Sequence, residues 1–262
     1  MTRPVGEDRD VAHGTSHHAR VPSFDPVVDA YDAARPSYPD DVYDALGPLR
    51  GLLVLEGGAG TGIATRALAS RGARVVAYDI GVAMLARAVA RSPGLPAVVA
   101  DGARLPFRDG CADLICIAQS WHWLAAEQRR SEVARVLHPG GRWAAWWSHA
   151  TADGETWFDA TWDLIEGVCP PVHRSQRDTD WGAELRASGS FDVGDRIDVP
   201  WGREVSVDTW TQDLSSHSFV MALREDARSS LLDAIRDAAA RAFPDGSMRI
   251  PHETRLWIAH RR

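Results

Sequence analysis

Short apolar runs alternate with helical patterns along the middle of the chain. Residues 52–55 form a continuous apolar run that opens onto glycines, which is typical of a strand buried on both faces. The predicted elements are a strand at 52–55, a helix at 63–71, a strand at 74–78, a helix at 82–91, strands at 97–100 and 114–118, a helix at 125–137 and a strand at 142–147. This alternation predicts an α/β fold with a doubly wound, mostly parallel sheet and helices on both faces.

Helical patterns dominate the regions that flank this core. Two helices are predicted before it, at 24–35 and 39–46, and residues 1–22 lack a periodic apolar pattern and are predicted to be a flexible tail. After residue 148 the predicted elements are helices at 157–167 and 180–188, a strand at 191–199, a helical block at 207–242 and a final strand at 250–260.

The order of these late elements predicts how the sheet is completed. The segments 151–190 and 207–245 follow the fifth and sixth predicted strands, so we expect them to form a helical cap. Ligands of open α/β sheets bind at the carboxyl ends of the strands, which is the edge that such a cap would cover. No linker divides the remainder, so residues 23–262 are predicted to form one domain whose core is 23–150.

Composition narrows the class of protein. None of the apolar runs reaches the roughly 18 to 20 residues that span a bilayer, and the first residues lack the apolar region of a secretory signal. We therefore expect a cytoplasmic protein without a membrane partner. The three cysteines, Cys111, Cys116 and Cys169, show no disulfide or zinc-ligand spacing, so no metal site is predicted.

The net charge of the chain limits the classes of binding partner. The net charge of −7 disfavours a nucleic-acid binder, which normally carries a basic excess, and favours a small-molecule ligand. All 29 basic residues are arginines, so Schiff-base and P-loop lysine chemistry are excluded. A monomer and a homodimer both remain open.

A glycine-rich loop follows the first predicted strand. Glu56 is followed by glycine at every second position, namely Gly58, Gly60 and Gly62. The dinucleotide fingerprint requires a third glycine at position 63, where the chain has isoleucine. A carboxylate at the strand end attracts an ammonium group and disfavours pyrophosphate.

Two more acids end the next strands. Asp79 ends the second strand, where a carboxylate can accept hydrogen bonds from both hydroxyls of a ribose. Asp101 ends the third strand and can accept a bond from an adenine amino group. Each acid alone is most often a turn former or helix cap, but all three beside a glycine loop indicate a nucleoside site.

Together these motifs resemble the class I S-adenosylmethionine-dependent methyltransferases. The matching segments are VLEGGAGTG at 54–62, VAYD at 76–79 with Met84 and Leu85, DGARLPF at 101–107 and RVLHPGG at 135–141. The resemblance implies a Rossmann-like, seven-stranded sheet with an antiparallel last strand, and S-adenosyl-L-methionine as the cofactor, with S-adenosyl-L-homocysteine as its product. Glu56 replaces the aspartate of many relatives and preserves the charge.

Within the class, the chain is similar to small-molecule methyltransferases related to trans-aconitate methyltransferase. That similarity lies in residues 31–39 and 118–123 and, more loosely, in 215–218. The resemblance implies that the first helix covers the cofactor, with Arg35 able to pair with its carboxylate. The implied cofactor contacts are Tyr31, Arg35, Glu56, Gly58, Gly60, Gly62, Asp79, Met84, Asp101, Gly102, Ala103 and Gln119.

Aromatic and histidine side chains point to the acceptor side of such a site. Trp121 and Trp123 follow the fourth strand, where indole rings can attract a sulfonium and form the wall of an apolar pocket. His122 is the leading candidate general base, because imidazole titrates near pH 6.5. His217 is a second catalytic candidate, and both it and His149 are predicted to line the acceptor pocket. A carboxylate acceptor would need no base, and Arg174, Arg177 or Arg224 can then hold it.

Three functions remain open from the sequence. The first is methyl transfer to an oxygen or nitrogen of a small metabolite, with secondary metabolism as the setting implied by the resemblance. The second is a dinucleotide-dependent oxidoreductase, which the glycine spacing disfavours. The third is an inert or repurposed binder of S-adenosylmethionine. The only argument against it is that the cofactor motifs are intact.

Overall fold

A computed structural model of the protein describes residues 28–124, 126–169, 172 and 177–262. The predicted tail at 1–22 and Arg174 lie outside these residues. The described chain forms one mixed sheet flanked by helices. Its strands are β1 (Leu53–Gly57), β2 (Arg74–Asp79), β3 (Ala97–Val99), β4 (Ala112–Ala118), β5 (Leu137–Ala150), β6 (Phe191–Val193), β7 (Ile197–Ser206) and β8 (Ser247–Arg261).

The first five strands form the parallel part of the sheet. They lie in the order β3-β2-β1-β4-β5, with β1 between β2 and β4, so the chain reverses direction across the sheet at β1 and β4. The last strand, β8, runs antiparallel to β5 from Arg142 against His260 to Ala150 against His252. The prediction of a mostly parallel, Rossmann-like sheet is confirmed.

The predicted strand at 191–199 is two strands in the structure. Both β6 and β7 pair antiparallel with the same edge of β8, β6 against residues 259–261 and β7 against residues 247–256. The break falls at Gly194 and Asp195, residue types that disfavour strand. The eight strands therefore fill seven positions, and the helices that precede β6 and follow β7 are inserted after the fifth and sixth of them.

Another difference concerns the boundary between the fifth helix and β5. The helix ends at Val136, and β5 begins at once and includes residues 138–141, which lie between the predicted helix at 125–137 and the predicted strand at 142–147. Its register to β4 shifts there, with Leu137 opposite Ala112 but Arg142 opposite Leu114. The proline and two glycines thus form an irregularity inside a long strand.

Helices cover both faces of the sheet. They are α1 (Val28–Ala34), α2 (Asp40–Asp44), α3 (Ile63–Ser70), α4 (Val82–Arg91), α5 (Ala126–Val136), α6 (Thr156–Val168), α7 (Ala183–Ser188), α8 (Val207–Ser215), α9 (Ser218–Met221) and α10 (Glu225–Ala242). Side chains of β5 alternate between the two cores: Trp143 and Trp147 pack on one face and Trp146 on the other. No helix among the described residues is long and apolar enough to cross a membrane.

A separate apolar cluster joins α6, α8, α9 and α10, and we call these four helices the cap. Trp157 and Phe158 of α6 pack with Trp210 of α8 and Ile235 of α10, and the cluster rests on the first residues of β8. Helix α7, which we expected in the cap, packs against α5 and β6 instead. Leu185 of α7 is fully buried in the main core, so this helix packs beside the sheet and not in the cap.

Candidate active site

The loop after β1 is shaped by close contacts that only glycine permits. Gly58 has a φ of 61°, and a Cβ there would lie 2.2 Å from Oγ of Ser120. Ser120 Oγ in turn donates a hydrogen bond to the carbonyl of Gly57 at 3.1 Å. The loop therefore packs directly on the residues that follow β4, and Gly58 is its one exposed residue at the carboxyl edge of the sheet.

Asp79 ties the glycine loop to the end of β2. Its Oδ2 accepts a hydrogen bond from the N–H of Gly60, and its Oδ1 accepts one from Gly81, both at 2.8 Å. Met84 of α4 is buried against Gly60 and Gly81. Each carboxylate oxygen has a second lone pair, so Asp79 can still accept bonds from a pair of hydroxyl groups.

Glu56 is buried at the base of the loop. Its side chain accepts a hydrogen bond from the hydroxyl of Thr65 on α3, and the residue is 1% exposed. Burial raises the pKa of Glu56 to about 8, because a carboxylate loses its hydration there. A cation that approached this carboxyl would favour its ionised form.

The loop after β3 meets the turn after β4. Oδ1 of Asp101 accepts a hydrogen bond from the N–H of Ala103 at 2.9 Å, which fixes the loop locally. Between them, Gly102 lies so close to Leu124 that a Cβ would be 2.7 Å from its Cδ1. The third strand's acid therefore reaches the same edge as Glu56 and Asp79.

Gln119 is the first residue after β4 and has a backbone conformation that is rare for its type. Its φ is 59°, in the left-handed region. Its N–H donates to the carbonyl of Trp146, and its Nε2 donates to the carbonyl of Ser148 at 3.2 Å. These bonds to β5 hold the turn and aim Ser120 at the glycine loop.

The Trp-His-Trp segment forms a single 3₁₀ turn at Trp121–Trp123. Trp121 was expected to line a pocket, but it is fully buried in the core, with its ring edge-on to Trp143 at 5.1 Å. In a turn of three residues the first and third side chains face different ways. Trp123 and His122 remain partly exposed, with ring centroids 4.5 Å apart and planes tilted by 41°.

Two tryptophans that the sequence did not single out complete an aromatic wall, which we define as His122, Trp123, Trp147 and Trp181. Trp147 of β5 and Trp181 stack in parallel, with centroids 4.6 Å apart and an interplanar angle of 15°. Trp181 lies 5.9 Å from His122. The wall thus joins the turn after β4, the end of β5 and the segment before α7.

His122 has a neutral ring inside this wall. Nε1 of Trp147 donates a hydrogen bond to its Nδ1 at 3.4 Å. Burial, together with the charge of Arg129, lowers the pKa of His122 to about 4. A ring of this kind is a weak base, and its Nε2 carries the proton.

The other two histidines lie where β5 meets the cap. Burial and the charges of Arg255 and Arg177 lower the pKa of His149 to about 4. His217 begins α9, and burial and the charge of Arg35 hold its pKa well below the ordinary value. Both rings are therefore neutral at pH 7, like that of His122.

Helix α1 contacts both α4 and the cap helix α8. Asp32 pairs with Arg91 of α4 at 2.7 Å, whereas Nε of Arg35 donates to Oγ of Ser216 at 3.1 Å and lies 3.5 Å from Asp213 of α8. Burial raises the pKa of Tyr31, which senses the charges of both Asp79 and Asp213. Tyr31 and Arg35 thus lie between the glycine loop and the cap.

Comparison with known proteins identifies the family. The family described as "Methyltransferase domain" matches residues 55–145, from β1 to β5. An uncharacterized methyltransferase of Mycobacterium tuberculosis is 32% identical over 219 residues, which cover 83% of this chain and 86% of that protein. The chain belongs to the class I S-adenosylmethionine-dependent methyltransferases. The subgroup related to trans-aconitate methyltransferase is not established by these similarities.

Solved structures of other methyltransferases share the fold. A proposed type II methyltransferase from Anaeromyxobacter dehalogenans matches with a TM-score of 0.68 at 23% identity, over 87% of this chain and 97% of that one. The phosphoethanolamine N-methyltransferase 2 of Haemonchus contortus, solved with phosphomonomethylethanolamine and S-adenosylhomocysteine, matches with a TM-score of 0.54 at 18% identity, over 92% of this chain and 60% of that one.

The cofactor of this methyltransferase is S-adenosylmethionine, and the residues at the carboxyl edge fit it. The N–H groups of Ala59 and Gly60 already bind Tyr78 and Asp79 within the protein, so the loop offers two nearby carboxyls rather than a pyrophosphate cradle. Thr61 adds a buried hydroxyl that has no hydrogen-bond partner within the described residues. Thr61 and Ser120 lie inside the matching segments at 54–62 and 118–123 but were not among the predicted contacts.

Proposed function

We propose that this methyltransferase transfers the methyl group of S-adenosylmethionine to an oxygen or nitrogen of a small metabolite bound between the aromatic wall and the cap. The observation that carries the proposal is the division of the carboxyl edge. The ends of β1, β2 and β3 bear the glycine loop and three acids, whereas the ends of β4 and β5 bear indole and imidazole rings.

The first part of the edge is the proposed cofactor site. Asp79 accepts the ribose hydroxyls, Asp101 with Gly102 and Ala103 receives the adenine, and Met84 supports the loop. Glu56 attracts the ammonium group, either directly or through water. Tyr31 and Arg35 close the site from α1, and Arg35 pairs with the methionyl carboxylate. We propose that the backbone approaches the cofactor closely at Gly58, Gly60, Gly62 and Gln119.

The second part of the edge is the proposed acceptor site. S-adenosylmethionine supplies a methyl group on a positively charged sulfur, and the chain must hold the acceptor atom in line with it. Trp123 and the rest of the aromatic wall orient the acceptor and exclude water. His122 is neutral and a weak base, so we propose that its Nε2–H orients an acceptor that is ionised or a neutral amine. We place His149 and His217 on the opposite side of the acceptor, where β5 meets the cap.

The proposal is tested with methyl-labelled S-adenosylmethionine. The protein is incubated with mixtures of small carboxylic acids, phenols and amines and, in parallel, with bulk protein and nucleic acid. We expect label in the small-molecule fraction only. Label found only in precipitated macromolecules would contradict the small acceptor, and cofactor binding without any transfer would favour a repurposed binder.

A further inference from the structure

A buried ion pair lies directly behind the aromatic wall. Arg129 of α5, whose side chain is 8% exposed, donates from Nη2 to Oε2 of Glu184 on α7 at 2.6 Å. Its Nη1 donates to the carbonyl of Trp121 at 2.6 Å and to that of Leu124 at 2.9 Å. The other carboxylate oxygen of Glu184 accepts from the indole N–H of Trp121. One guanidinium and one carboxylate thus bind both ends of the turn at 121–124.

This turn touches both parts of the proposed site. Its middle carries His122 and Trp123 of the aromatic wall. Its last residue, Leu124, packs against Gly102 in the loop proposed to receive adenine. Helix α7 begins two residues after Trp181, so Glu184 also anchors the outer ring of the wall. A shift of the turn would therefore move contacts on the cofactor side and on the acceptor side together.

The geometry requires an arginine. The guanidinium lies 4.8 Å from the ring centroid of Trp121 while it serves two carbonyls and a carboxylate. A lysine has one compact ammonium group instead of the planar guanidinium, so it cannot bind all of these groups at once. A buried ion pair adds little net stability compared with apolar packing of the same volume, so stability alone does not explain this one.

We propose that Arg129 and Glu184 are positioning residues, which hold the turn at 121–124 so that His122 and Trp123 face the acceptor and Leu124 closes on the loop at 101–103. The inference rests on the proposed division of the edge between cofactor and acceptor. Arg129 also acts on His122 through space, because its positive charge disfavours protonation of that ring. Geometry and charge can therefore be separated by substitution.

The test uses the full chain and four variants: Arg129→Lys, Arg129→Gln, Glu184→Gln and the control Arg130→Gln. Arg130 is the next residue on α5 and lies 3.8 Å from the same carboxylate, with its side chain 33% exposed. For each protein we would measure thermal unfolding, the affinity for S-adenosylhomocysteine by calorimetry and the titration of the His122 ring by NMR. None of these readouts needs the acceptor.

We expect Arg129→Lys to lower the affinity about tenfold while the His122 titration stays near that of the wild type, because the charge remains and the fork is lost. Arg129→Gln should lower the affinity similarly and raise the midpoint of the His122 titration above that of the wild type. Glu184→Gln keeps the shape of the carboxylate and should lower the affinity less. Arg130→Gln should change neither quantity.

The inference is overturned if folded Arg129→Lys and Glu184→Gln proteins both bind S-adenosylhomocysteine and titrate His122 as the wild type does. If Arg129→Gln leaves Glu184 unpaired and fails to fold, the double variant Arg129→Gln/Glu184→Gln replaces it, because no buried charge then lacks a partner. Failure of the proposed function looks different, since the wild-type protein itself would then show no labelled small-molecule product.

Discussion

The two parts of the carboxyl edge are built in different ways. In the cofactor part, Glu56, Gly58 and Asp79 stand at or just after strand ends, and short backbone bonds within the neighbouring loops fix them. In the acceptor part, the aromatic wall combines residues that are far apart in sequence, such as Trp147 and Trp181, whose rings stack at 4.6 Å. Its turn is held by an ion pair between α5 and α7.

Under the proposed division, this difference would let related methyltransferases share a cofactor site and differ in acceptor. A site made of strand ends and local loops changes little while the strands keep their order. A wall made by long-range packing changes whenever an inserted helix moves. We therefore expect substitutions in the two parts to separate cofactor affinity from turnover.

The largest effect is expected at Gly58. Gly58→Ala adds a Cβ 2.2 Å from Oγ of Ser120 at a residue with a φ of 61°, so the loop must move. We expect the affinity for S-adenosylhomocysteine to fall by about 100-fold or more, measured by calorimetry. The control is Gly94→Ala, which has a φ of 86° but open space, and its affinity should be unchanged.

His122→Ala should give the opposite pattern. We expect turnover with the acceptor found in the labelling screen to fall about 100-fold, because the acceptor loses its orienting group. Affinity for S-adenosylhomocysteine should stay within about twofold. Since the pKa of His122 is about 4, the wild-type rate should show no His122 titration between pH 6 and 8. A loss of cofactor affinity equal to the loss of turnover would erase the distinction between the two parts.

Asp79→Ala removes charge-assisted bonds from the cofactor part. We expect the affinity for S-adenosylhomocysteine to fall at least about tenfold, since such bonds contribute about 1.5 to 3 kcal/mol. Asp113→Asn is a matched control, because Asp113 also accepts a backbone N–H, from Leu53 at 2.7 Å, at the opposite edge of the sheet. Wild-type affinity in a folded Asp79→Ala protein would reject the ribose role.

Glu56→Gln should change both the pH dependence of thermal unfolding and the affinity for S-adenosylmethionine. The pKa of Glu56 is about 8 in the fold against an ordinary 4.5, so the folded state keeps a proton that the unfolded chain releases. The wild-type protein should therefore lose stability as the pH rises from about 4.5 to about 8, by at most a few kcal/mol. Thermal unfolding of Glu56→Gln should depend less on pH over this range, while its affinity for S-adenosylmethionine falls several-fold.

Equal pH dependence of unfolding in the two proteins would show that Glu56 is ionised in the free fold. Unchanged affinity for S-adenosylmethionine would remove the proposed ammonium contact. The two readouts are independent, since unfolding is measured on the free protein and affinity on the complex.

The two parts also differ in how far the sequence predicted them. The buried run before Glu56, the glycine spacing and the acids Asp79 and Asp101 predicted residues that the structure brings to one edge, because each signal is local, and their binding of the cofactor stays a prediction. The same reasoning placed Trp121 in the pocket, although it is fully buried in the core and Trp123 is not. Composition does not reveal which way a side chain of a short turn faces.

Long-range pairing accounts for the other differences. The predicted strand at 191–199 is divided because β6 and β7 both pair with one long strand, β8, on either side of Gly194. The sequence did not place Glu184 and Trp181 beside the candidate site, because their position depends on the packing of α7 against α5. Periodicity predicts a helix but not its neighbour.

A crystal structure of the protein with S-adenosylhomocysteine tests the division of the edge most directly. We predict that the ribose lies on Asp79, the adenine lies beside the loop at 101–103, and the sulfur faces His122 and Trp123 across the end of β4. An adenosyl group bound under the cap, against His149 and His217 and away from Asp79, would contradict the division.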